Sequence, residues 1–167
     1  AAGAYDGRLG RPLPAYEIRL DDGEVQIRGP GMFDAYFSPW QLREDVAPDG
    51  WFRTGDLGER LSDGELRLLG RRKAVINFSG MKIFPQEVEA VLDRFPGVAE
   101  SLVYGEPHPE FGQLPQAKLV VRDGAGPLDI AALRAFCRAH LAAHKIPKAF
   151  ETVAALPKTA SGKIRRA

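Results

Sequence analysis

The segment of residues 70–92 reads GRRKAVINFSGMKIFPQEVEAVL and separates two halves of the chain that differ in their sequence patterns. In the last part of this segment and just beyond it, Pro85 precedes apolar residues that recur at positions 88, 91, 92 and 95. Glu87 lies where the first turn of a helix that begins at Pro85 would be. This spacing, followed by Pro96-Gly97, predicts a helix. Upstream of the segment the pattern favours strands, whereas downstream it favours helices mixed with strands.

Net charge divides the chain at the same place. The 167 residues carry a formal net charge of +1, yet residues 1–70 hold 8 basic and 13 acidic residues, while residues 71–167 hold 15 basic and 9 acidic residues. The basic half is expected to meet an anion such as a nucleotide, with a solvated basic face as the alternative. Nucleic-acid binding is not expected, because aromatic residues do not interleave with the basic ones. Two domains, residues 1–70 and 74–167, are therefore predicted, with one compact domain as the alternative.

The first half is predicted to be antiparallel β structure. Strand-like residues 15–20 and 24–28 flank Asp21-Asp22-Gly23, and residues 56–61 and 65–69 flank Ser62-Asp63-Gly64. Asp-Gly between two such runs favours a hairpin, because glycine adopts the positive φ that the turn needs. A short helix is predicted between the hairpins, from Ser38 to about Asp45. We expect this half to form a small β-barrel or sheet.

The second half is predicted to mix helices and strands. Beyond the helix that begins at Pro85, strands are expected at residues 100–104 and 116–122, with a loop at Pro107-His108-Pro109. Asp129 can cap a second helix whose apolar stripe ends at Leu141, and a last strand is expected at residues 150–153. The predicted fold class is therefore α+β, an antiparallel β subdomain followed by a compact α+β domain.

Composition excludes several classes of protein. Hydrophobic residues make up 44% of the chain and charged residues 27%, as in ordinary globular proteins. No run approaches the roughly 20 apolar residues of a membrane span, and no secretion signal is visible. Cys137 is the single cysteine, and together with the three histidines it shows no zinc spacing. We therefore expect no metal site and a reducing, cytoplasmic location.

Two short segments carry polar groups that suit nucleotide chemistry. Thr54-Gly55-Asp56 places a carboxylate where it can bind both hydroxyls of a ribose, with an ordinary turn as the alternative. Ser161-Gly162-Lys163 resembles part of a phosphate loop, but Pro157 replaces the first glycine of that loop and Ile164 replaces its Ser or Thr. A Walker loop is excluded, which leaves a lysine on a mobile loop or a basic tail.

Three segments together resemble the adenylate-forming superfamily, which contains acyl-CoA synthetases, firefly luciferase and the adenylation domains of peptide synthetases. They are GWFRTGDLG at residues 50–58, GRRKAVINFSGMKIFPQEVE at residues 70–89 and LPKTASGKI at residues 156–164, in the order and spacing of that family. Residues 28–31 with Tyr36-Phe37 also resemble a motif of its β-barrel subdomain. The resemblance covers nearly the whole chain, but only the C-terminal third of a family enzyme.

The resemblance implies roles for four residues in adenylate formation. Asp56 matches the aspartate that binds the ribose hydroxyls, and Arg71 matches the arginine near the ribose and phosphates. Lys73 matches the hinge position, within residues 71–73, about which the mobile C-terminal domain rotates. Lys163 matches the lysine that bridges the substrate carboxylate and the α-phosphate, where an ammonium group offsets the repulsion between two anions.

The resemblance also implies a site for a second half-reaction. In the family, the loop that corresponds to residues 79–83 moves over the adenylate while a pantetheine thiol attacks it. Gly80 matches a position where the thiol arm passes close to the backbone. Lys82 is placed near the phosphates of the thiol donor, with a solvated lysine as the alternative.

The implied function is part of an acid–thiol ligase of the acyl-CoA synthetase type, which forms acyl-AMP from an acid and ATP and transfers the acyl group to CoA. Its expected ligands are ATP with Mg²⁺, a carboxylic acid and CoA. The family's phosphate loop, acyl pocket and Mg²⁺-binding glutamate have no counterpart here, so the chain is expected to lack an N-terminal domain and to be inactive alone. The alternatives are a ligase that loads the phosphopantetheine of a carrier protein, and a natural stand-alone interaction or complementing module.

Overall fold

Two five-stranded sheets, one in each half of the chain, organise the fold. The computed structural model describes residues 7–166, and the chain divides into two units, one ending at Lys73 and the other beginning at Ala74. The predicted domain limits lie close to this division. The hinge assigned to residues 71–73 stays a prediction.

The first unit is mainly antiparallel β structure. Its elements are β1 (Arg8–Gly10), β2 (Glu17–Asp21), β3 (Glu24–Arg28), β4 (Ala35–Phe37), β5 (Trp40–Leu42), α1 (Arg43–Val46), β6 (Phe52–Arg60) and β7 (Leu66–Arg71). Five strands form one sheet in the order β1-β7-β6-β3-β2, and β4 pairs with β5 separately. Since β1 and β2 are the outer strands and do not pair, the sheet is open in the described residues. Of the two predicted alternatives, the antiparallel sheet is confirmed, and the described residues form no closed barrel.

The first hairpin forms where its turn residues predict it. Asp22 and Gly23 have φ values of 47° and 77°, and Asp21 on β2 pairs with Glu24 on β3. These positive φ values are those of the tight turn that Asp-Gly favours.

The predicted helix from Ser38 to Asp45 is wrong over its first half. Residues 40–42 pair with residues 35–37, and only residues 43–46 are helical. Aromatic residues at positions 36, 37 and 40 suit a pleated hairpin better than a helix, which is the physical reason for the difference.

The second unit mixes helices with a sheet. Its elements are β8 (Ile76–Phe78), β9 (Met81–Ile83), α2 (Pro85–Leu92), β10 (Val98–His108), β11 (Gly112–Val121), α3 (Ile130–His140) and β12 (Ala149–Val153). The sheet runs β10-β11-β8-β9, and β12 adds to β11 in parallel. Both predicted helices are present, and the Asp129 side chain caps α3 by accepting a hydrogen bond from the Ala132 N–H at 3.0 Å. The α+β class is confirmed.

The strands β10 and β11 are longer than predicted. Pro107 and His108 were expected to form a loop, but they pair with Gln113 and Gly112 in one antiparallel ladder. Pairing with a neighbouring strand overrides the turn-like composition of this segment, as strand formation depends on context.

The core of the second unit is formed where α2 and α3 cover the sheet. It contains ten buried residues: Ile76, Ile83, Val88, Leu92, Val98, Val103, Ala117, Leu119, Leu133 and Cys137. Cys137 is fully buried, and that burial raises the pKa of its thiol, with a smaller opposing effect from the charge of Arg134. The cysteine is therefore a packing residue, as its place on an apolar helical stripe suggests.

Among residues 7–166, no helix is both long enough and apolar enough to cross a membrane.

We predict that Leu133→Ala will speed the reaction of Cys137 with a thiol reagent. Leu133 is fully buried in the same core, and truncation of a buried leucine costs about 2–5 kcal/mol. When labelling proceeds through a rare open state, such a loss raises its rate on the order of 100-fold. As a control, Leu13→Ala shortens a side chain that is 68% exposed and should leave the rate unchanged. Equal rates in all three proteins would contradict this packing of α3.

Candidate functional site

Asp56 and Arg71 lie opposite each other on β6 and β7. They are partners in the antiparallel ladder, and Arg71 Nε lies 3.0 Å from Asp56 Oδ1. The Arg71 side chain is 62% exposed and that of Asp56 is 26% exposed. The second oxygen of Asp56, Oδ2, accepts no hydrogen bond from any residue of the described part of the chain. One carboxylate oxygen is thus open to another donor.

A bulge in β6 sets the position of Asp56. The pairing of β3 with β6 shifts between residues 24 and 26, so that one residue of β3 faces three residues of β6, Thr54 to Asp56. Gly55 supplies the positive φ, 72°, at the centre of the bulge. The Thr54 hydroxyl donates to the Val25 carbonyl at 2.7 Å and accepts from the Asp56 N–H at 3.1 Å. A bulge of this kind re-aims a side chain at the edge of a ladder.

Glu24, which the sequence did not single out, ties this bulge to the end of β7. Its side chain accepts hydrogen bonds from the Gly55 N–H and from Arg72, both at 3.1 Å, and the residue is 8% exposed. Arg72 also donates to Asp22 at 3.2 Å. A glutamate next to a turn is ordinarily a surface residue, so no local signal marks it. Arg72 is therefore anchored to the first unit.

Lys73 follows the anchored arginine in a single 3₁₀ turn of residues 72–74. Its side chain is exposed, and its ammonium group makes no hydrogen bond or ion pair with residues 7–166. It is also the last residue of the first unit. The residue predicted as a hinge thus lies at the division between the two units.

Gly80 and Lys82 lie on the β8–β9 hairpin, a tight turn where a loop was expected. Ser79 and Gly80 have φ values of 49° and 79°, as in a type I′ turn. A Cβ atom on Gly80 would meet no heavy atom within 4 Å, so backbone conformation alone accounts for glycine within this unit. Lys82 pairs with Asn77 across the hairpin, and its exposed ammonium has no partner among the described residues.

Lys163 lies on a small loop that closes on itself. Lys158 and Ile164 form an antiparallel bridge, the Thr159 N–H donates to the Lys163 carbonyl at 2.8 Å, and the Gly162 N–H donates to the Thr159 carbonyl at 2.9 Å. The Lys163 N–H also donates to Thr159 Oγ1 at 3.2 Å. The loop that was expected to be mobile has a closed, hydrogen-bonded backbone, and the exposed Lys163 ammonium has no partner in residues 7–166.

Within the first unit, the structure brings the predicted site residues Asp56 and Arg71 into direct contact. Within the second unit, no hydrogen bond or ion pair between described residues joins the β8–β9 hairpin to the Lys163 loop. No group of three His, Cys, Asp or Glu side chains within residues 7–166 is arranged to hold a metal ion. Within each unit, the predicted site residues that do not contact each other are therefore separate binding groups.

Comparison with known proteins relates the second unit to one family. Residues 87–163 match the sequence model of the family described as AMP-binding enzyme C-terminal domain. The second unit therefore resembles the C-terminal domain of AMP-binding enzymes over most of its length. The resemblance to adenylate-forming enzymes, inferred from three sequence segments, is thereby confirmed.

Longer proteins with similar sequences extend the match to both units. A 2-succinylbenzoate–CoA ligase from Listeria monocytogenes is 40% identical over 161 residues, which are 96% of this chain and 34% of the ligase. The solved o-succinylbenzoate CoA synthetase of Bacillus subtilis, in complex with the acyl-adenylate intermediate OSB-AMP, is 35% identical with a TM-score of 0.85, over 95% of this chain and 34% of that one. The amide bond synthetase McbA from Marinactinospora thermotolerans is also 35% identical, with a TM-score of 0.80, over 95% of this chain and 35% of that one.

The chain spans about a third of the length of the relatives it matches. The Bacillus synthetase has also been solved with ATP and a magnesium ion, and with AMP. The chain thus corresponds to the C-terminal part of CoA ligases, as the sequence resemblance implied. The roles assigned to individual site residues stay predictions: Asp56, Arg71, Lys73, Gly80, Lys82 and Lys163.

We predict that Gly80→Ala will destabilise the second unit by about 1 kcal/mol, because an alanine is held at a left-handed φ. Gly80→Asn should cost less, since asparagine tolerates this conformation better and its Cβ meets open space. Urea unfolding followed by circular dichroism measures both values. Equal losses in the two variants would show that φ is not the cause.

Proposed function

We propose that this chain is the C-terminal part of an ATP-dependent carboxylic acid ligase of the acyl-CoA synthetase type and is inactive alone. In the first half-reaction, a carboxylate oxygen attacks the α-phosphorus of ATP, an acyl–phosphate bond forms and pyrophosphate leaves. In the second, the thiol of CoA loses its proton and attacks the acyl carbon, a thioester forms and AMP leaves. Similarity to CoA ligases over 96% of the chain supports this proposal.

The unpartnered ammonium of Lys163 is the observation that carries the proposal. The first half-reaction brings a carboxylate and an α-phosphate together, and both are anions. A preorganised cation at their meeting point stabilises the transition state, as such groups do in other phosphoryl and acyl transfers. Because no described residue neutralises Lys163, its charge is available for that purpose.

The Asp56–Arg71 pair fits the nucleotide. The open Oδ2 of Asp56 can accept a hydrogen bond from a ribose hydroxyl, and the exposed Arg71 guanidinium can donate to the ribose or to a phosphate. The Thr54–Asp56 bulge holds the aspartate in place before any nucleotide binds. We assign ribose recognition to Asp56, with Arg71 beside it.

The second half-reaction needs a different arrangement of the two units. We propose that Lys73 is the hinge, because it follows the anchored Arg72 directly and its own side chain has no described partner. Gly80 and Lys82 are then the groups near the thiol arm, with Lys82 facing the phosphates of the thiol donor. Both lie on an exposed hairpin, which suits an incoming ligand.

We propose that an N-terminal domain supplies the triphosphate site, the ligand of the ATP-bound Mg²⁺ and the acyl pocket. CoA is proposed as the acceptor because the curated relative above is a CoA ligase. A carrier protein's phosphopantetheine offers the same thiol and is the alternative acceptor. We propose a cytoplasmic location, in keeping with the single buried cysteine.

We predict that Lys163→Ala, made in the full-length ligase, will slow adenylate formation about 10²- to 10³-fold. Thioester formation from supplied acyl-AMP should keep its rate, because no carboxylate then meets the α-phosphate. ATP–pyrophosphate exchange measures the first step, and release of AMP on addition of CoA measures the second.

Arg138→Ala is the matched control, since Arg138 is an exposed cation of the same unit. It should change neither step. Equal slowing of both steps by Lys163→Ala would contradict the role given to this lysine, and pyrophosphate exchange by the 167-residue chain alone would contradict its proposed incompleteness.

We also predict that Asp56→Asn will raise the KM for ATP about 10-fold or more while changing kcat less. A hydrogen bond to a charged group contributes about 1.5–3 kcal/mol, and the amide retains only a neutral acceptor. Glu59→Gln, a carboxylate-to-amide change on the same strand, serves as the control and should leave the KM unchanged. An unaltered KM in Asp56→Asn would remove the ribose assignment.

A further inference from the structure

The segment that follows Lys163 is fastened to the core of the second unit by a buried carboxylate. Arg166 donates to both oxygens of Glu89, at 2.8 Å and 2.5 Å, in a bidentate pair. Glu89 lies on α2, its side chain is 9% exposed, and it also accepts a hydrogen bond from the Val103 N–H of β10 at 2.7 Å. A buried carboxylate needs such partners, so Arg166 is held firmly.

The segment that precedes Lys163 is fastened at a second point. Leu156 is 4% exposed and anchors the chain before the loop. Lys158 Nζ then lies 2.6 Å from Oε1 of Glu100 on β10. Both members of this pair are more than a third exposed, so it holds the loop less strongly than the Glu89–Arg166 pair does.

The two fastened residues enclose the loop that carries Lys163. Lys158 is bridged to Ile164, and the Arg165 N–H donates to the Pro157 carbonyl at 2.8 Å. Lys163 is therefore three residues from Arg166 along the chain and directly beside the bridged Ile164. A displacement at either ion pair is passed to Lys163 through this short hydrogen-bonded backbone.

We propose that the Glu89–Arg166 and Glu100–Lys158 pairs are a clamp that positions Lys163 for adenylate formation. This inference rests on the proposed function, because it presumes that Lys163 acts on the acid and the α-phosphate. Because a lysine side chain is flexible, a fixed backbone is needed to limit the positions that its ammonium group can take. A misplacement of about 1 Å can slow a reaction on the order of 10²-fold. Glu89 and Arg166 are thus positioning residues, with no contact to the reacting atoms required.

The first test measures the clamp without any activity, in the 167-residue chain. Arg166→Met should lower the backbone ¹⁵N order parameters of residues 161–163 from about 0.85 to below about 0.6. Arg165→Met is the matched control, because Arg165 is exposed and its side chain has no described partner. It should leave these values unchanged, and Ser79 and Gly80 should be unaffected in both variants. Unchanged order parameters in Arg166→Met would overturn the clamp.

A second variant covers the case in which Arg166→Met does not fold. Lys158→Met removes only the exposed pair and should lower the same order parameters by a smaller amount. Arg166→Lys keeps a charge but loses the bidentate geometry, so it should give an intermediate value. If Lys158→Met leaves the loop as rigid as before, the second fastening point is wrong.

The kinetic test uses the full-length ligase. Arg166→Met should slow adenylate formation about 10²-fold, leave the KM for ATP and the rate of thioester formation unchanged, and be partly rescued by Arg166→Lys. If Lys163→Ala slows adenylation but Arg166→Met does not, the positioning inference is wrong while the proposed function stands. If Lys163→Ala has no effect, the proposed function is wrong, and the clamp is then overturned as a catalytic device whatever the order parameters show.

Discussion

A buried glutamate carboxylate holds together the segments on which each unit depends. In the first unit Glu24 binds the Gly55 N–H and Arg72, and in the second Glu89 binds the Val103 N–H and Arg166. Because a charge in the protein interior is costly without partners, each carboxylate fixes both a backbone amide and an arginine that is distant in sequence. In both units that arginine lies within three residues of a predicted functional lysine. The same physical device therefore supports the proposed hinge and the proposed adenylation loop.

The parts of the fold that could be predicted from the sequence are those governed by local rules. Helical spacing and capping gave α2 and α3, and Asp22-Gly23 gave the first hairpin, because these signals act over a few neighbouring residues. The extension of β10 through His108 and the open first sheet depend on pairing between distant strands. The structural roles of Glu24 and Glu89 could not be predicted for a related reason. A glutamate is ordinarily exposed, and only the tertiary structure shows that these two are buried. The resemblance to a family predicted the site residues, whereas the hydrogen bonds and ion pairs that hold them are visible only in the structure.

The contact between Asp56 and Arg71 raises the question of whether the pair is available to a ligand. An ion pair whose arginine is 62% exposed contributes little, about 0–1 kcal/mol. Arg71 also donates a hydrogen bond to the Thr54 carbonyl at 3.0 Å, and such a bond contributes about 0.5–1.5 kcal/mol. A hydrogen bond from a ligand to a charged group contributes about 1.5–3 kcal/mol, so a nucleotide can replace one of these contacts of Arg71 at small cost. Asp56 itself does not need to move, because the bulge and the Thr54 hydroxyl hold its backbone. The aspartate is thus a fixed acceptor and the arginine an adjustable donor.

The closed backbone of the Lys163 loop changes where movement between half-reactions must occur. A lysine on a loose glycine-hinged loop could leave the reaction site by itself, as the sequence first suggested. The loop is instead bonded internally and fastened to α2 and β10, so local departure would break the buried Glu89–Arg166 pair. Removing one partner of a buried ion pair costs about 3–5 kcal/mol. Rotation of the backbone at Lys73 carries no such cost from Lys73 itself, because its side chain makes no hydrogen bond or ion pair with the described residues. Under the proposed function, Lys163 therefore leaves with its whole unit, and the flexibility that the reaction requires belongs to the hinge rather than to the loop.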